Sequence, residues 1–335
     1  MKVCSVIVTY GDRFHLLKQV IEACYKEGVY RVIVIDNASE ENSKKKLQEL
    51  DKNEDRLKVI YLDENTGSAG GYKRGLQEAY ECEECEHIWL LDDDNKPQKK
   101  SLKVLKEFWG ELENKEKEKK VSLLSFRSDR MAYKEAIMTK NPNLVLGRKN
   151  SFLGFHILDL PKKVIRVLKR KIGIKTFIEE KNIKSGKVSV APYGGMFFHK
   201  KIIANIGYPR EEFFVYADDH EWSYRITKDN GEIYVVLDSL VKDIDTSWNL
   251  KEKAKSPFYT YLNEGGDFRV YYAVRNRVYF ERKDLVDIRY IHYMNIYIYI
   301  LFLQLYKNNN NTNRYALFIK AIKDGINKKL NRELI

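Results

Sequence analysis

The chain has 335 residues, 44% of them hydrophobic, enough for a real core in one large domain or two smaller ones. Lysine and arginine number 60 against 48 acidic residues, and the net charge of +12 points to an anionic partner: nucleic acid, nucleotide phosphates or an anionic membrane face. No nucleic-acid-binding motif accompanies that charge, so nucleic acid is set aside, and four cysteines without a disulfide pattern fit a reducing compartment.

The opening "MKVCSVIVTYG" runs straight into a strand pattern, so no signal peptide is expected. Strand-like runs follow at 3–9, 31–36, 57–62 and 87–91, short and β-branched. Helix-like segments lie between them at 13–27, 42–52 and 69–80. This alternation predicts a parallel sheet covered by helices on both faces. Ligands of such sheets sit beyond the carboxyl ends of the strands. Three of those ends are polar here: "TYGDR" (9–13), "DNAS" (36–39) and "DDDN" (92–95). Cys82 and Cys85 form an isolated C-x-x-C with no second ligand pair, and packed or solvated thiols are expected there rather than a metal or redox site.

Residues 110–120 read as a charged linker or helix end, and 121–126 as another strand. In 161–175 apolar residues alternate with basic ones and no acid, which suits either a membrane-surface helix or an ordinary basic surface helix. Residues 188–236 return to an α/β pattern. The apolar, tyrosine-rich stretch 288–307 contains Arg289, His292, Asn295 and Gln304, and is a poor clean span. A helix in or near a membrane interface is favoured there over a buried helix, with a true span last.

Asp92, Asp93 and Asp94 end a hydrophobic strand on three adjacent charges. Keeping them ionised requires a cation or strong donors, and hard divalent ions choose oxygen ligands and retain phosphates as partners. A solvated turn or helix cap is the plainer reading of the triplet alone. Upstream, "ENTGSAGGYKRG" (64–75) offers glycines and a helix start suited to anions. Downstream, "FFVYADDHEWSYRI" (213–226) places Asp218, Asp219 and Glu221 at another helix start, where a carboxylate can serve as general base or simply complement the helix dipole.

Taken in order, "IVTYGDR", "VIDNAS", "NTGSAGGYKRG", "WLLDDDNKP", "GGMFFHK" and "DDHEWSYRI" resemble the family 2 glycosyltransferases of the GT-A fold over roughly residues 1–240, and most nearly the bacterial galactofuranosyltransferase and rhamnosyltransferase-like members. The resemblance implies an α/β fold with a mostly parallel, helix-flanked sheet and a helical C-terminal region. It implies a catalytic domain over 1–245, with a nucleotide-binding half 1–126 and an acceptor half 187–245, then a membrane-associated helical region 246–335. Thr9, Tyr10, Asp36 and Asn37 match positions that hold the base and ribose, and Arg13 joins them on the donor side. Asn65, Gly70, Gly71 and Arg74 match the loop framing the nucleoside and diphosphate. Asp92 and Asp93 would contact ribose or sugar, with Asp94, assisted by Asp92, ligating Mn2+ or Mg2+. Asp219 matches the catalytic base, and Gly194, Gly195, Asp218, Glu221 and Trp222 the acceptor side. Family members often carry a metal-binding histidine downstream of the base; 235–249 has none, and Asp243 or Asp245 could replace it.

The implied activity is metal-dependent, inverting transfer of a sugar, from a UDP-sugar for preference and UDP-galactofuranose in particular, to a lipid-linked saccharide acceptor at the cytoplasmic face of the cell membrane. A homo-oligomer is compatible with it. A dTDP-rhamnose donor is the nearest alternative. A sugar nucleotidyltransferase would carry its glycine- and arginine-rich signature after the first strand, where "VTYGDRFH" lacks it. A non-catalytic nucleotide-sugar-binding or scaffold protein sits poorly with two intact acidic clusters.

Overall fold

The computed structural model describes residues 1–161, 165, 183–245 and 256–332. The basic segment 161–175 therefore lies almost wholly outside the described residues, as do 246–249. Strands β1 (Val3–Gly11), β2 (Arg31–Ser39), β3 (Leu57–Tyr61) and β4 (His87–Asp92) alternate with helices α1 (Phe14–Lys26), α2 (Glu41–Asn53) and α3 (Gly67–Glu81), close to the expected spans. Then come β5 (Asn95–Pro97), α4 (Ser101–Glu111), β6 (Val121–Phe126), α5 (Met131–Met138), β7 (Ser185–Val188), β8 (Met196–His199), α6 (Asp218–Lys228) and β9 (Glu232–Asp243).

The strands form one sheet in the order β3-β2-β1-β4-β8-β6-β9-β5, with β7 on β9. The expected parallel arrangement holds across β3-β2-β1-β4, where helical crossovers return the chain to the same sheet edge. Beyond β4 the sheet is mixed: β8 runs antiparallel to both neighbours, while β9 is parallel to β6. Apolar residues of β1, β2 and β4 are buried on both faces, in two clusters that lie against α3 on one side and α1 and α4 on the other. The chain order reverses at β1, between β2 and β4, and register places Thr9 beside Asp36 and Val8 beside Asp92. Ligand crevices form at such switch points.

Two compact units result: residues 1–145 with 182–250, and residues 146–181 with 251–335. The sequence predicts a single boundary, at 245/246; in the structure residues 146–181 group with the C-terminal unit as well. In the second unit, α7 (Asp267–Phe280), α8 (Arg289–Gln304) and α9 (Thr312–Ile326) are the long helices. The polar residues that make 288–307 a poor span have a local use. Asn295 donates to the Asn150 carbonyl (2.8 Å) and accepts from the Ile157 amide (3.0 Å), and His292 Nδ1 lies 3.0 Å from the Ser151 carbonyl. The opposite face of α8 exposes Tyr290, Tyr293, Tyr297 and Leu301. No helix among the described residues is long and apolar enough to cross a membrane.

Glu281 fastens the 146–181 insert to this unit. It is fully buried, pairs with Arg277 at 2.8 Å, and accepts from the amides of Leu153 (3.0 Å) and Gly154 (3.3 Å). Replacing it with Ala removes the carboxylate partner of a half-buried guanidinium and of two amides. The expected loss is about 3 kcal/mol of stability, read from urea unfolding of the full chain.

The cysteines depart from expectation. Cys85 is disulfide-bonded to Cys4 across 81 residues, leaving Cys82 and Cys24 as free thiols. No local spacing rule reveals a bridge from β1 to the turn just before β4, so distant in the chain.

Candidate active site

The polar ends of β1, β2 and β4 meet as expected, but several residues have other duties than the sequence suggested. Asp93 is buried: its Oδ2 accepts from the Thr9 hydroxyl at 2.8 Å, and Arg13 Nε lies 3.0 Å from both its oxygens. Thr9, Arg13 and Asp93 are thus committed to one another. Arg13 also reaches Asp94 (Nη2 to Oδ2, 2.7 Å) and Asp245 (Nη1 to Oδ2, 2.7 Å). Asp92 is the open member of the triplet, with its side chain 37% exposed and one oxygen 2.7 Å from the Tyr72 hydroxyl.

Asp243 and Asp245, the expected replacements for the missing histidine, lie beside the aspartate triplet: Asp245 shares Arg13 with Asp94, and Asp243 shares Arg127 with Asp92. Strand β5 pairs antiparallel with the end of β9, opposing Asn95 to Asp243, and the Ile244 amide donates to the Asp94 carbonyl at 2.9 Å. Arg127, which sequence reasoning missed, lies buried at the end of β6. It donates to Asn95 (2.8 Å), Asp243 (2.8 Å) and Asp129 (3.0 Å) and lies 3.7 Å from Asp92. The strand-end argument that found the aspartates would have found it too, since "LLSFR" also closes an apolar strand on a charge.

Six carboxylates (Asp92, Asp93, Asp94, Asp129, Asp243 and Asp245) thus share two guanidinium groups, Arg13 and Arg127. The excess negative charge is felt at Asp94. Burial first, and then Asp92, Asp93 and Asp243, push its carboxyl up to about 7 in spite of Arg13. An oxygen-only donor set short of positive charge fits a hard divalent cation. Among the described residues, no three carboxylates converge closely enough to share one ion. The fit is therefore to an ion held by Asp94 with one neighbour, completing its shell with phosphate oxygens or water.

On the donor side, Tyr10 is 47% exposed and lies under the Arg13 guanidinium at 5.5 Å. Asp36 is fully buried; its Oδ1 accepts from the Ser39 amide at 2.9 Å, and its Oδ2 has no hydrogen-bond partner. Asn37 has a structural task, binding Thr66 N (2.8 Å) and Gly67 O (2.9 Å), while Asn65 accepts from the Gly67 amide at 2.8 Å. Gly70 and Gly71 do not open space for a ligand. A Cβ on Gly71 would lie 2.6 Å from Val8 Cγ1, and one on Gly70 2.5 Å from Thr66 Cβ, so these glycines let α3 pack tightly on β1 and its own entry turn. Arg74 lies on the outer side of α3 against Glu78 (3.4 Å) and does not join the carboxylates.

The second acidic group opens α6. Asp218 is buried and accepts from the Ser68 hydroxyl at 2.8 Å. Asp219 is half-buried, with one oxygen accepting from the His220 amide at 2.7 Å. The turn before them holds Phe214, Tyr216 and Ala217 at φ of 62°, 67° and 61°, a run of non-glycine positive angles of the kind that collects at functional sites. The Phe214 carbonyl accepts from the Ala69 amide at 3.1 Å, tying this turn to the start of α3. Tyr72, which holds Asp92, stacks on Tyr193 at 4.1 Å, and Tyr193 adjoins Asp218. The two carboxylate groups are therefore joined by a tyrosine pair and by the first turn of α3.

Two acceptor-side expectations need correction. Trp222 is fully buried, donates to the Gly207 carbonyl at 2.8 Å and packs on Phe198 and Tyr193, so no sugar can stack on it. Glu221 is buried between Arg210 (3.3 Å) and Arg225, as a structural ion pair. Both side chains are buried against the unit's interior, whereas Asp219, on the same first turn of α6 as Glu221, keeps partial exposure. Gly194 and Gly195 line the carboxylate side: a Cβ on Gly194 would fall 1.9 Å from Asn95 Oδ1 and 2.6 Å from Asp92 Oδ2. Gly194→Ala is expected to displace both side chains, at about 1–3 kcal/mol of stability together with weakened donor binding, read by thermal unfolding and UDP titration.

Burial, then the charge of Asp219, push the Asp218 carboxyl from its ordinary 3.8 up to about 7. A raised carboxyl favours the fold while protonated. Its contribution is complete below the ordinary value and is lost as pH rises through about 7. Between about pH 5 and pH 8 the melting temperature should fall by a few degrees in the wild type, and this slope should flatten in Asp218→Asn. An unchanged slope would contradict the assignment.

A family model described as "Glycosyl transferase family 2" matches residues 5–207. The "Putative teichuronic acid biosynthesis glycosyltransferase TuaG" of Bacillus subtilis (strain 168) is 30% identical over 82 residues, 24% of this chain and 31% of that protein, so the chain matches about a third of that relative's length. A crystal structure of GalNAc-T7 with UDP, GalNAc and Mn2+ superposes with a TM-score of 0.54 at 13% identity, covering 84% of this chain and 48% of that one. S. aureus TarS 1–349 in complex with UDP-GlcNAc gives 0.53 at 13% identity, covering 98% and 83%. At these identities the structural likenesses carry the fold alone, and the fold is of GT-A type.

Proposed function

Because the chain belongs to glycosyl transferase family 2, we propose that it is an inverting transferase moving a sugar from a nucleotide-diphosphate sugar to a saccharide acceptor in cell-surface polysaccharide synthesis. The observation that carries this reading is the pairing of two acidic groups at the switch point of the sheet. One is short of positive charge, and the other presents a half-exposed carboxylate across the Tyr72–Tyr193 pair.

Each group has a distinct task. Tyr10 offers an exposed ring for the base, and the unpartnered Asp36 Oδ2 is an acceptor for a base N–H or ribose hydroxyl. Asp94, with Asp92, Asp243 or Asp245 beside it, would hold Mn2+ or Mg2+; the bound ion supplies stabilisation of the charge that develops on the leaving diphosphate. Asp219 takes the proton from the acceptor hydroxyl. The acceptor oxygen then bonds to the anomeric carbon from the face opposite the diphosphate, and the bond to the phosphate oxygen breaks with its electron pair leaving on UDP. One base suffices because the leaving group needs no proton, unlike the glycosidase case with its second carboxyl.

UDP is favoured because the TarS and GalNAc-T7 structures were solved with it. UDP-galactofuranose and dTDP-rhamnose remain the two donors suggested by the sequence motifs. A lipid-linked acceptor at a cytoplasmic membrane face agrees with the exposed Tyr290, Tyr293, Tyr297 and Leu301 on α8, an aromatic and aliphatic stripe suited to the headgroup region. The test is UDP or dTDP release from a panel of nucleotide sugars with Mn2+. Turnover of one donor supports the reading. Binding without turnover of any donor would move a non-catalytic nucleotide-sugar-binding protein to the front, and absence of both at millimolar donor would overturn the reading and leave a scaffold.

A further inference from the structure

Three of the four cysteines converge at the sheet edge opposite the carboxylates. The sulfurs of Cys4, Cys82 and Cys85 lie within 4.8 Å of one another, on the first residues of β1, at the end of α3 and just before β4. Cys4 and Cys85 are bonded and fully buried, so an external thiol has no path to either sulfur in the folded chain. Cys82 is a free thiol and partly exposed, 3.6 Å from Glu84. A third thiol beside a buried disulfide, and itself open to solvent, has the arrangement for thiol–disulfide exchange. A structural zinc site would need a fourth ligand, and no His, Asp or Glu joins the three sulfurs among the described residues.

We propose that Cys4, Cys82 and Cys85 form a redox exchange site in which Cys82 is the entry thiol for a buried disulfide. The Cys82 thiolate attacks Cys85 Sγ, the Cys82–Cys85 bond forms, and the Cys4–Cys85 bond breaks. Its electron pair leaves on Cys4 Sγ, which takes up the proton that Cys82 released, so no oxidant or reductant is consumed. The new disulfide includes the partly exposed sulfur. A dithiol reductant then attacks Cys82 Sγ and releases Cys85; its second sulfur closes on the first and releases Cys82. The dithiol is oxidised by two electrons, and Cys4, Cys82 and Cys85 all end as thiols. Cys24 takes no part; its sulfur is buried elsewhere, 3.8 Å from the Ser5 hydroxyl.

The test follows reduction of the full-length, folded, air-oxidised protein by dithiothreitol without denaturant, with acid quenching, alkylation and peptide mass mapping. Wild type should yield the Cys4–Cys85 peptide and a transient Cys82–Cys85 peptide. Cys82→Ser should retain the first, lose the second, and be reduced at least about tenfold more slowly, because the solvent-accessible attacking thiol is gone. Cys24→Ser should behave as wild type. Equal reduction rates in wild type and Cys82→Ser would overturn the proposal, as would four free thiols in the oxidised protein or one zinc ion per chain with no disulfide peptide. If Cys82→Ser fails to fold, the transient Cys82–Cys85 peptide in wild type decides alone: its presence supports the exchange and its absence rejects it.

Discussion

Asp219→Asn is expected to lower kcat for sugar transfer by about 10²–10⁴-fold, the usual contribution of a positioned general base, with little change in affinity for UDP. The expectation rests on the contrast between two neighbouring acids. Asp218 is buried, accepts from Ser68, and has its carboxyl pushed up to about 7, so near neutral pH it is partly protonated. Asp219 lies half-buried on the same helix turn and its charge is one cause of that shift. The acid that meets solvent is the better base, because an acceptor hydroxyl can reach it, and the buried one fixes the turn. Steady-state kinetics with each Asn variant separates them. A full effect in Asp218→Asn with none in Asp219→Asn would reverse the two roles.

Asp94→Ala is expected to reduce donor turnover by roughly 10²–10³-fold and to raise the Mn2+ concentration needed for the remainder, as removal of a group that stabilises developing charge does. Burial, and then the charges of Asp92, Asp93 and Asp243, push the Asp94 carboxyl up to about 7, and it contacts Arg13 (2.7 Å) and Asn95. Its removal leaves Arg13 with Asp93 and Asp245. The fold should therefore survive, and thermal unfolding of the variant checks that it does. A variant that keeps wild-type turnover and metal dependence would show that Asp94 holds no ion.

The nucleotide-binding half was legible because its signals are local. Continuous β-branched runs mark strands buried on both faces, and a parallel sheet necessarily gathers their carboxyl ends at one edge. Thr9, Asp36 and the aspartate triplet were found that way. What escaped depends on pairings distant in the chain. Nothing local makes β8 enter antiparallel between β4 and β6, or bonds Cys4 to Cys85. The resemblance places Trp222 on the acceptor side, but its position on α6 turns it inward onto Phe198. Gly70 and Gly71 looked like a phosphate cradle, since glycine gives the same signal whether a ligand or Val8 requires the space. Arg127 is legible in principle, because it too follows directly on an apolar strand.

The most direct measurement is a crystal structure of the protein grown with UDP and Mn2+. The account predicts uracil against Tyr10, a nucleoside hydrogen bond to Asp36 Oδ2, and the ion between Asp94 and the diphosphate, with Asp219 facing the open side. Nucleotide bound elsewhere, or an ion that leaves Asp94 unligated, would contradict it.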